Sequence, residues 1–386
     1  MGIINKILLF FNYLFAIALL ISWIARYINP SFFWPVAFFG LAYSFLALIN
    51  IAFVLLWLLR LKFHFLISLL SLLAGWQTLR STFPVNVRYI MPGRENVRIG
   101  GDSGSVTTNL EILSYNVRLF DLYNWKNNEN KRTRNKIFDL LKSLNPDILC
   151  LQEFYQDDKR EFVTLDSLVR FLDARNYHVE YTKTLRNVHR WGIITLSRFP
   201  VAGKGKIVFG KGNNICIFTD IVAGTDTVRI YNMHLASVHF SRKDYSLMEE
   251  ITDLDYDSPN YLQQPNDTLV SDFKRIFSKL KKSFIMRGEQ VERVAEHIGK
   301  SPYPVIICGD INDTPSSYAY HTLRGDLADA WSELGLGLGY TYADFLPVFR
   351  IDYIFHSPSL RACSFEIIPE ILSDHRAVLC EIEVGK

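Results

Sequence analysis

Residues 1–80 constrain the chain more than any other stretch. They contain no Asp or Glu and only five basic residues, Lys6, Arg26, Arg60, Lys62 and Arg80. Three apolar runs fill them, Ile7 to Ile24, Phe32 to Leu59 and Phe63 to Leu79, separated by Arg26 through Pro30 and by Arg60-Leu61-Lys62. Each has about the length a helix needs to cross a hydrocarbon core of ~30 Å. Buried helices of a soluble domain can be this apolar, but three in succession without an acidic residue point to a bilayer. The expectation is a membrane region at 1–80 with three transmembrane helices, in a multi-pass integral membrane protein whose first partner is the lipid bilayer. No small-residue cleavage site follows the first run, so it is read as a retained helix and not as a signal peptide.

Charge gives a weaker guide to sidedness. Arg60 and Lys62 in a short loop favour the cytoplasm for that connection and place the downstream chain on the other side. Arg80, Arg88, Arg94 and Arg98 pull the opposite way, leaving a slight lean toward a non-cytoplasmic domain. The formal net of +3 hides this asymmetry: five of the 42 Lys and Arg lie in the apolar region, so 37 basic residues face 39 acidic ones in the remainder. A dedicated nucleic-acid binder draws most of its affinity from phosphate neutralisation and shows a positive excess. This chain does not. Five cysteines, Cys150, Cys216, Cys308, Cys363 and Cys380, form no C-x-x-C pair and lie mostly in apolar surroundings, so they read as small buried hydrophobes.

A linker at 81–109, with a Gly/Ser-rich stretch from Ile99 to Ser105, separates this region from a domain at 110–386. There, strand and helix patterns alternate. Leu110 to Val117, Asp147 to Gln152, Tyr177 to Thr184, Gly192 to Ser197, Lys206 to Phe209, Ile215 to Ala223, Thr227 to Leu235, Ile351 to His356 and Ala377 to Val384 read as strands. Lys131 to Leu144 reads as an amphipathic helix. Pro304 to Cys308 is a short β-branched run suited to a strand buried on both faces. The fold class expected is α/β, a two-sheet sandwich with helices outside. Residues 237–284 break the rhythm and read as an insertion, acidic at first and then a basic amphipathic helix from Phe273 that runs on to about Ile298. It suits an ordinary solvated helix face, a lid or a membrane-contact segment.

The chemistry concentrates where apolar strands end. Gly309-Asp310-Ile311-Asn312-Asp313 follows the buried run; Ser114-Tyr115-Asn116, Gln152-Glu153, Asn232-Met233-His234, Arg350-Ile351-Asp352 and Ser373-Asp374-His375 repeat the pattern. Taken singly, each has an ordinary explanation as a turn, a cap or a satisfied core side chain. Together they supply carboxylates, amides and imidazoles at the edge where α/β folds place their sites. A hard divalent cation wants carboxylate and amide oxygens, an attacking water wants a base, and phosphoryl oxygens want donors, so the set suits hydrolysis of a phosphate ester. The chain has no Walker loop, kinase loop or G-x-S-x-G elbow.

The motifs SYN, PDILCLQE, GIITLSRFP, YNMHL, ICGDINDTP, RIDYIF and SDHRAV, in that order, resemble the endonuclease/exonuclease/phosphatase superfamily, in its branch with N-x-H-L. The resemblance covers about Leu110 to Val384. It implies Mg²⁺, with Mn²⁺ as the alternative, held by Glu153 with Asn116 and Asp374 nearby. It implies that Asp310 orients or deprotonates water, that Asn312 holds the phosphate, that His375 contacts the phosphate or relays a proton, and that Asp352 fixes its tautomer. His234 matches the second histidine, and His234, Asn232 and Asn312 are the residues expected to touch substrate. The function expected is a membrane-anchored, metal-dependent phosphoesterase acting on a lipid or small-molecule ester. A membrane-associated nuclease and a catalytically inactive binding scaffold are the alternatives, and no obligate protein partner is inferred.

Overall fold

The computed structural model of the protein describes residues 2–86, 107–123, 130–157, 164–174, 176–210, 212–238, 240, 244, 266–344 and 348–385. Most of the linker and the acidic part of the expected insertion lie outside these residues.

The amino-terminal unit is helical throughout: α1 (Ile3–Ile24), α2 (Pro30–Phe33), α3 (Pro35–Leu41), α4 (Tyr43–Leu59), α5 (Phe65–Ala74) and α6 (Trp76–Thr82). Its polarity is inverted relative to a water-soluble bundle. Asn12, Asn50, Ser68 and Trp57 are buried between α1, α4 and α5, where Asn12 Nδ2 donates to Ser68 Oγ (2.6 Å), Ser68 Oγ to Asn50 Oδ1 (2.8 Å) and Trp57 Nε1 to Asn12 Oδ1 (2.8 Å). The outside carries Ile7, Phe10, Ile17, Leu55 and Leu70, all exposed. Polar groups as interhelical links and apolar side chains outward is the arrangement that lipid, not water, favours.

The expectation of three uninterrupted spanning helices is corrected. One helix, Ile3–Tyr27, is long and apolar enough to cross a bilayer by itself, and α3 with α4 meets the test only as a pair bent by 62°. Pro30 and Pro35 each occupy the first turn of a short helix, where a missing N–H costs nothing, and so cut the second run near its start. The third run breaks at Gly75, where the backbone passes so close to Trp23 that a Cβ would lie 3.3 Å from its Cδ1. Its apolar helix, Phe65–Ala74, has 10 residues, short of a span.

The second unit is a sandwich of two six-stranded sheets. The first runs β11-β12-β1-β2-β4-β3, from β1 (Thr108–Asn116), β2 (Ile148–Asp157), β3 (Asn176–Leu185), β4 (His189–Ser197), β11 (Arg361–Ile367) and β12 (Val378–Val384). The second runs β5-β6-β7-β8-β10-β9, from β5 (Val201–Val208), β6 (Ile215–Ala223), β7 (Asp226–His234), β8 (Val305–Asp310), β9 (Ala328–Asp329) and β10 (Asp352–His356). Period-two alternation explains the layers. Ile112, Cys150, Ile230, Ile306, Cys308 and Cys380 point between the sheets. Leu113, Leu149 and Leu151 point outward beneath α7 (Asn130–Leu144) and α8 (Leu165–Phe171). Tyr231, Met233, Val305 and Ile307 do the same beneath α9 (Asn266–Ile298) and α10 (Tyr318–Arg324), and α11 (Ala330–Leu334) closes one end. Each such side chain contributes about 1.5–3 kcal/mol by leaving water. Four of the five cysteines are buried and all are free.

Two histidines away from the polar strand ends tie stability to pH. His178 on β3 and His297 on α9 are held below the usual imidazole value, mainly by burial, with Arg229 adding to the effect at His297. The unfolded chain therefore takes up these protons first as pH falls through about 6.5. Stability should accordingly decline between about pH 7 and the lower folded-state values. Thermal melts across that window should show the decline, and His178→Asn and His297→Asn should each flatten it.

Candidate active site

Strand register lines up the polar residues that end the apolar runs. Parallel pairing of β7 with β8 sets His234 beside Asp310, and antiparallel pairing of β8 with β10 sets Asp310 beside Asp352. This register needs Gly309. With φ at +141°, any Cβ there would lie 2.1 Å from the Met233 carbonyl oxygen. On the first sheet, Asn116 ends β1 and reaches across the sandwich, its Nδ2 donating to Asp310 Oδ2 at 3.0 Å.

Glu153 arrives by a different device. The β2–β4 ladder shifts register between Leu151 and Phe154, and Glu153 sits in that irregularity with φ at +49°. A bulge re-aims a side chain that strict alternation would have turned elsewhere. The Glu153 carboxylate thus comes within 3.4 Å of Asn116 Nδ2 and 3.7 Å of His234 Nε2. Asn312 also has positive φ, +57°, its N–H capped by Asp310 Oδ1 at 2.8 Å and its Nδ2 donating to the Leu235 carbonyl at 3.1 Å. Uncommon backbone conformations at three positions within one cleft are what functional sites tend to hold.

The electrostatics follow from burial. Asp310 is fully buried, and loss of solvent pushes its carboxyl up to about 6 against the opposing pull of His375. Burial alone would depress His375. The Asp352 and Asp310 carboxylates outweigh it and hold the ring well above the usual imidazole value. The contacts match: His375 Nδ1 lies 2.9 Å from Asp352 Oδ2, and its Nε2 lies 3.6 Å from Asp310 Oδ2. Asp310, Asp352 and His375 lie close enough to be considered as ligands for one ion. Both ring nitrogens already face carboxylates, however, so this trio works better as a proton chain than as a cage.

The mouth of the cleft suits a cation. Glu153 keeps 32% side-chain exposure yet sits low enough that desolvation, then repulsion from Asp374, raises its carboxyl. Two crowded carboxylates are hard oxygen donors of the kind Mg²⁺ takes, and the Asn116 amide beside them turns Nδ2 toward Glu153 and Oδ1 toward the Arg118 N–H. Asp374 is partly balanced by Arg118, whose Nη1 lies 3.1 Å away.

The structure thus brings Asn116, Glu153, His234, Asp310, Asn312, Asp352, Asp374 and His375 to one cleft. Asn232 is not among the residues facing it. It is fully buried one layer below, where its Oδ1 accepts from Gln152 Nε2 (2.8 Å) and its Nδ2 donates to the Ile194 carbonyl (2.8 Å). Its role is to link the two sheets under the site, which corrects the expectation that it touches substrate.

Two residues went unnoticed in the sequence. Arg118 follows Asn116 by two positions, in a left-handed stretch from Arg118 to Asp121, and its nearness to the SYN motif was the available signal. Arg287 is buried on α9, with Nε donating to Asp313 Oδ2 (3.0 Å) and Nη1 to the Ala236 carbonyl (2.7 Å). It ties together the loops that follow Asp310 and His234. Nothing local in α9 marks it, because its partners lie on other elements.

Comparison with known proteins identifies a family. A profile described as the Endonuclease/Exonuclease/phosphatase family matches residues 113–375, and a domain of unknown function matches residues 5–82. No curated protein matches. Among solved structures, the human Nocturnin catalytic domain with bound sulfate is 15% identical, with a TM-score of 0.49 over 73% of this chain and 98% of its own. A family protein from Bacteroides thetaiotaomicron is 17% identical, with a TM-score of 0.49 over 72% and 98%. One from Beutenbergia cavernae is 17% identical, with a TM-score of 0.48 over 72% of each chain. With the family profile spanning the sandwich from β1 to His375, the chain belongs to the endonuclease/exonuclease/phosphatase family.

Proposed function

We propose that the protein is a membrane-anchored phosphoesterase, dependent on a divalent cation, that hydrolyses a phosphodiester or phosphomonoester on a membrane lipid or small molecule. Asp310, ionised beside a protonated His375, takes a proton from the attacking water as its oxygen bonds to phosphorus. The ester P–O bond breaks, and the leaving oxygen receives a proton from His375, which Asp352 orients. His234, the Asn312 amide and Arg118 supply donors for the phosphoryl oxygens. A divalent cation held by Glu153, Asn116 and Asp374 would add Lewis-acid stabilisation of the developing charge.

One observation carries the lipid side of this reading: the loops flanking the catalytic residues rest on the apolar helices. Ser316, four residues past Asn312, donates through Oγ to the Gly40 carbonyl at 2.7 Å. Arg350, two residues before Asp352, donates to the Ser81 carbonyl at 2.8 Å. A site so mounted stays close to head groups. The near-neutral charge of the sandwich domain also withholds the electrostatic term that retains duplex DNA.

The full chain in detergent or nanodiscs, given Mg²⁺, should show higher kcat/KM on a phospholipid or an inositol phosphate than on plasmid DNA at equal salt. Excess chelator and Glu153→Gln should each abolish turnover. Full activity in chelator would remove the metal from the mechanism, and a clear preference for DNA would favour the nuclease.

A further inference from the structure

We propose that the α2–α3 segment and the amino-terminal half of α9 form one docking surface for an anionic lipid leaflet, and that this contact fixes how the cleft meets the membrane. The inference rests on the membrane-anchored reading above. Residues Val270, Phe273, Lys274, Phe277, Lys281, Phe284 and Gly288 recur at three- and four-residue spacing and share one face of α9. The later part of this face is covered by the α2–α3 segment and the residue before it, Asn29. Gly288 meets Asn29 and Pro30 so closely that a Cβ would lie 2.8 Å from Asn29 Oδ1. Phe38 stacks on Phe277 with ring centroids 3.8 Å apart and meets Phe284 edge-on at 5.2 Å, while Lys281 Nζ lies 4.6 Å over the Trp34 ring.

Toward its amino terminus the same face is exposed among the described residues: Val270 is 50% exposed and Phe273 53%, and the α2–α3 segment adds Phe32 at 89% and Phe33 at 49%. In the chain this segment lies between α1 and α4, whose own apolar side chains are exposed. Lysines interleave with it. Arg275 and Lys279 are paired to Asp244, whereas Lys274, Lys281 and Lys282 have no carboxylate partner among the described residues. Aromatic side chains at the level where a helical bundle leaves the bilayer, edged by unneutralised ammonium groups, match the chemistry of an anionic head-group layer. The occupant is therefore a leaflet. Arg287, on the adjoining part of α9, carries the contact inward to Asp313 and Ala236.

The test is hydrogen–deuterium exchange of backbone amides 270–282 in the full chain, in nanodiscs of phosphatidylcholine alone and of phosphatidylcholine mixed with phosphatidylglycerol. Exchange should slow in the anionic discs, and the contact should weaken by about fivefold for each lysine neutralised and by more for each lysine reversed. Lys274→Glu with Lys282→Glu should remove most of the lipid-dependent difference; both side chains are exposed. Equal exchange in the two kinds of disc would overturn the proposal. So would protection that follows protein concentration and ignores lipid charge, which would mark a second copy as the occupant. Hydrolysis of a soluble ester, bis-p-nitrophenyl phosphate, is followed in parallel. Its loss in the wild type would refute the catalytic reading, while exchange would still report on the surface.

Discussion

Asp310→Asn is expected to lower turnover by about two to four orders of magnitude, the range for removing a positioned base, while the protein melts no lower than the wild type. The first effect follows from contact. Asp310 contacts all three of His234, His375 and Asn116, at 3.7, 3.6 and 3.0 Å, so its loss removes the carboxylate that they share. The second follows from burial. A carboxyl raised to about 6 is one whose ionised form the fold disfavours at neutral pH. Asparagine keeps the shape and an oxygen to accept the Asn312 N–H, and it removes the charge. Steady-state kinetics with a soluble ester and a thermal melt at one pH check both parts. Wild-type turnover would end the assignment of Asp310 as base, and a large drop in melting temperature would show that its charge supports the fold.

The second large effect concerns stability. Arg350→Met should cost about 3–5 kcal/mol, the usual penalty for breaking a buried ion pair from one side. Arg350 meets Asp329 through two hydrogen bonds, at 3.1 and 2.9 Å, with both side chains almost wholly buried. Asp329 also accepts from Tyr320, Ser332 and the Trp331 N–H. Burial alone would raise its carboxyl; Arg350 first, then Tyr320 and Ser332, hold it below the usual range. Removing the guanidinium strands that charge. Asp329→Asn combined with Arg350→Met should recover much of the loss, because the cost lies mainly in the uncompensated carboxylate. Denaturant melts of the wild type, both single variants and the double variant measure the coupling. Additive losses would show that the pair acts independently.

Much of the cleft was legible because its residues end buried strands: an apolar run that stops at Asp310 or Asn116 places that residue at the sheet edge. Asn232 misled for the same reason. It belongs to the N-x-H-L motif, yet it lies two residues before the strand end and on the same face as His234, so the alternation that carries His234 to the cleft leaves Asn232 beneath it. The placement of Glu153 depends on a bulge, which no period-two pattern announces. The short strands β9 and β11 escaped notice, the first because two residues carry no period. In the apolar region, composition pointed to lipid but not to breaks: Pro30 read as the end of a connection and Pro35 as part of an unbroken run, when each begins a new helix.

The joint between the helices and the sandwich has an uneven genetics. On the helical side, three of its acceptors are main-chain carbonyls, those of Gly40, Ser81 and Pro84, while the donors are Ser316 Oγ, Arg350 Nη2 and the Gly337 N–H. Substitution deletes side-chain donors but leaves a carbonyl in place. Exchanges at Gly40, Ser81 or Pro84 therefore leave these acceptors in place, whereas Ser316 and Arg350 cannot change without losing a bond. A single exchange at Arg350 would loosen the joint where one at Ser81 would not.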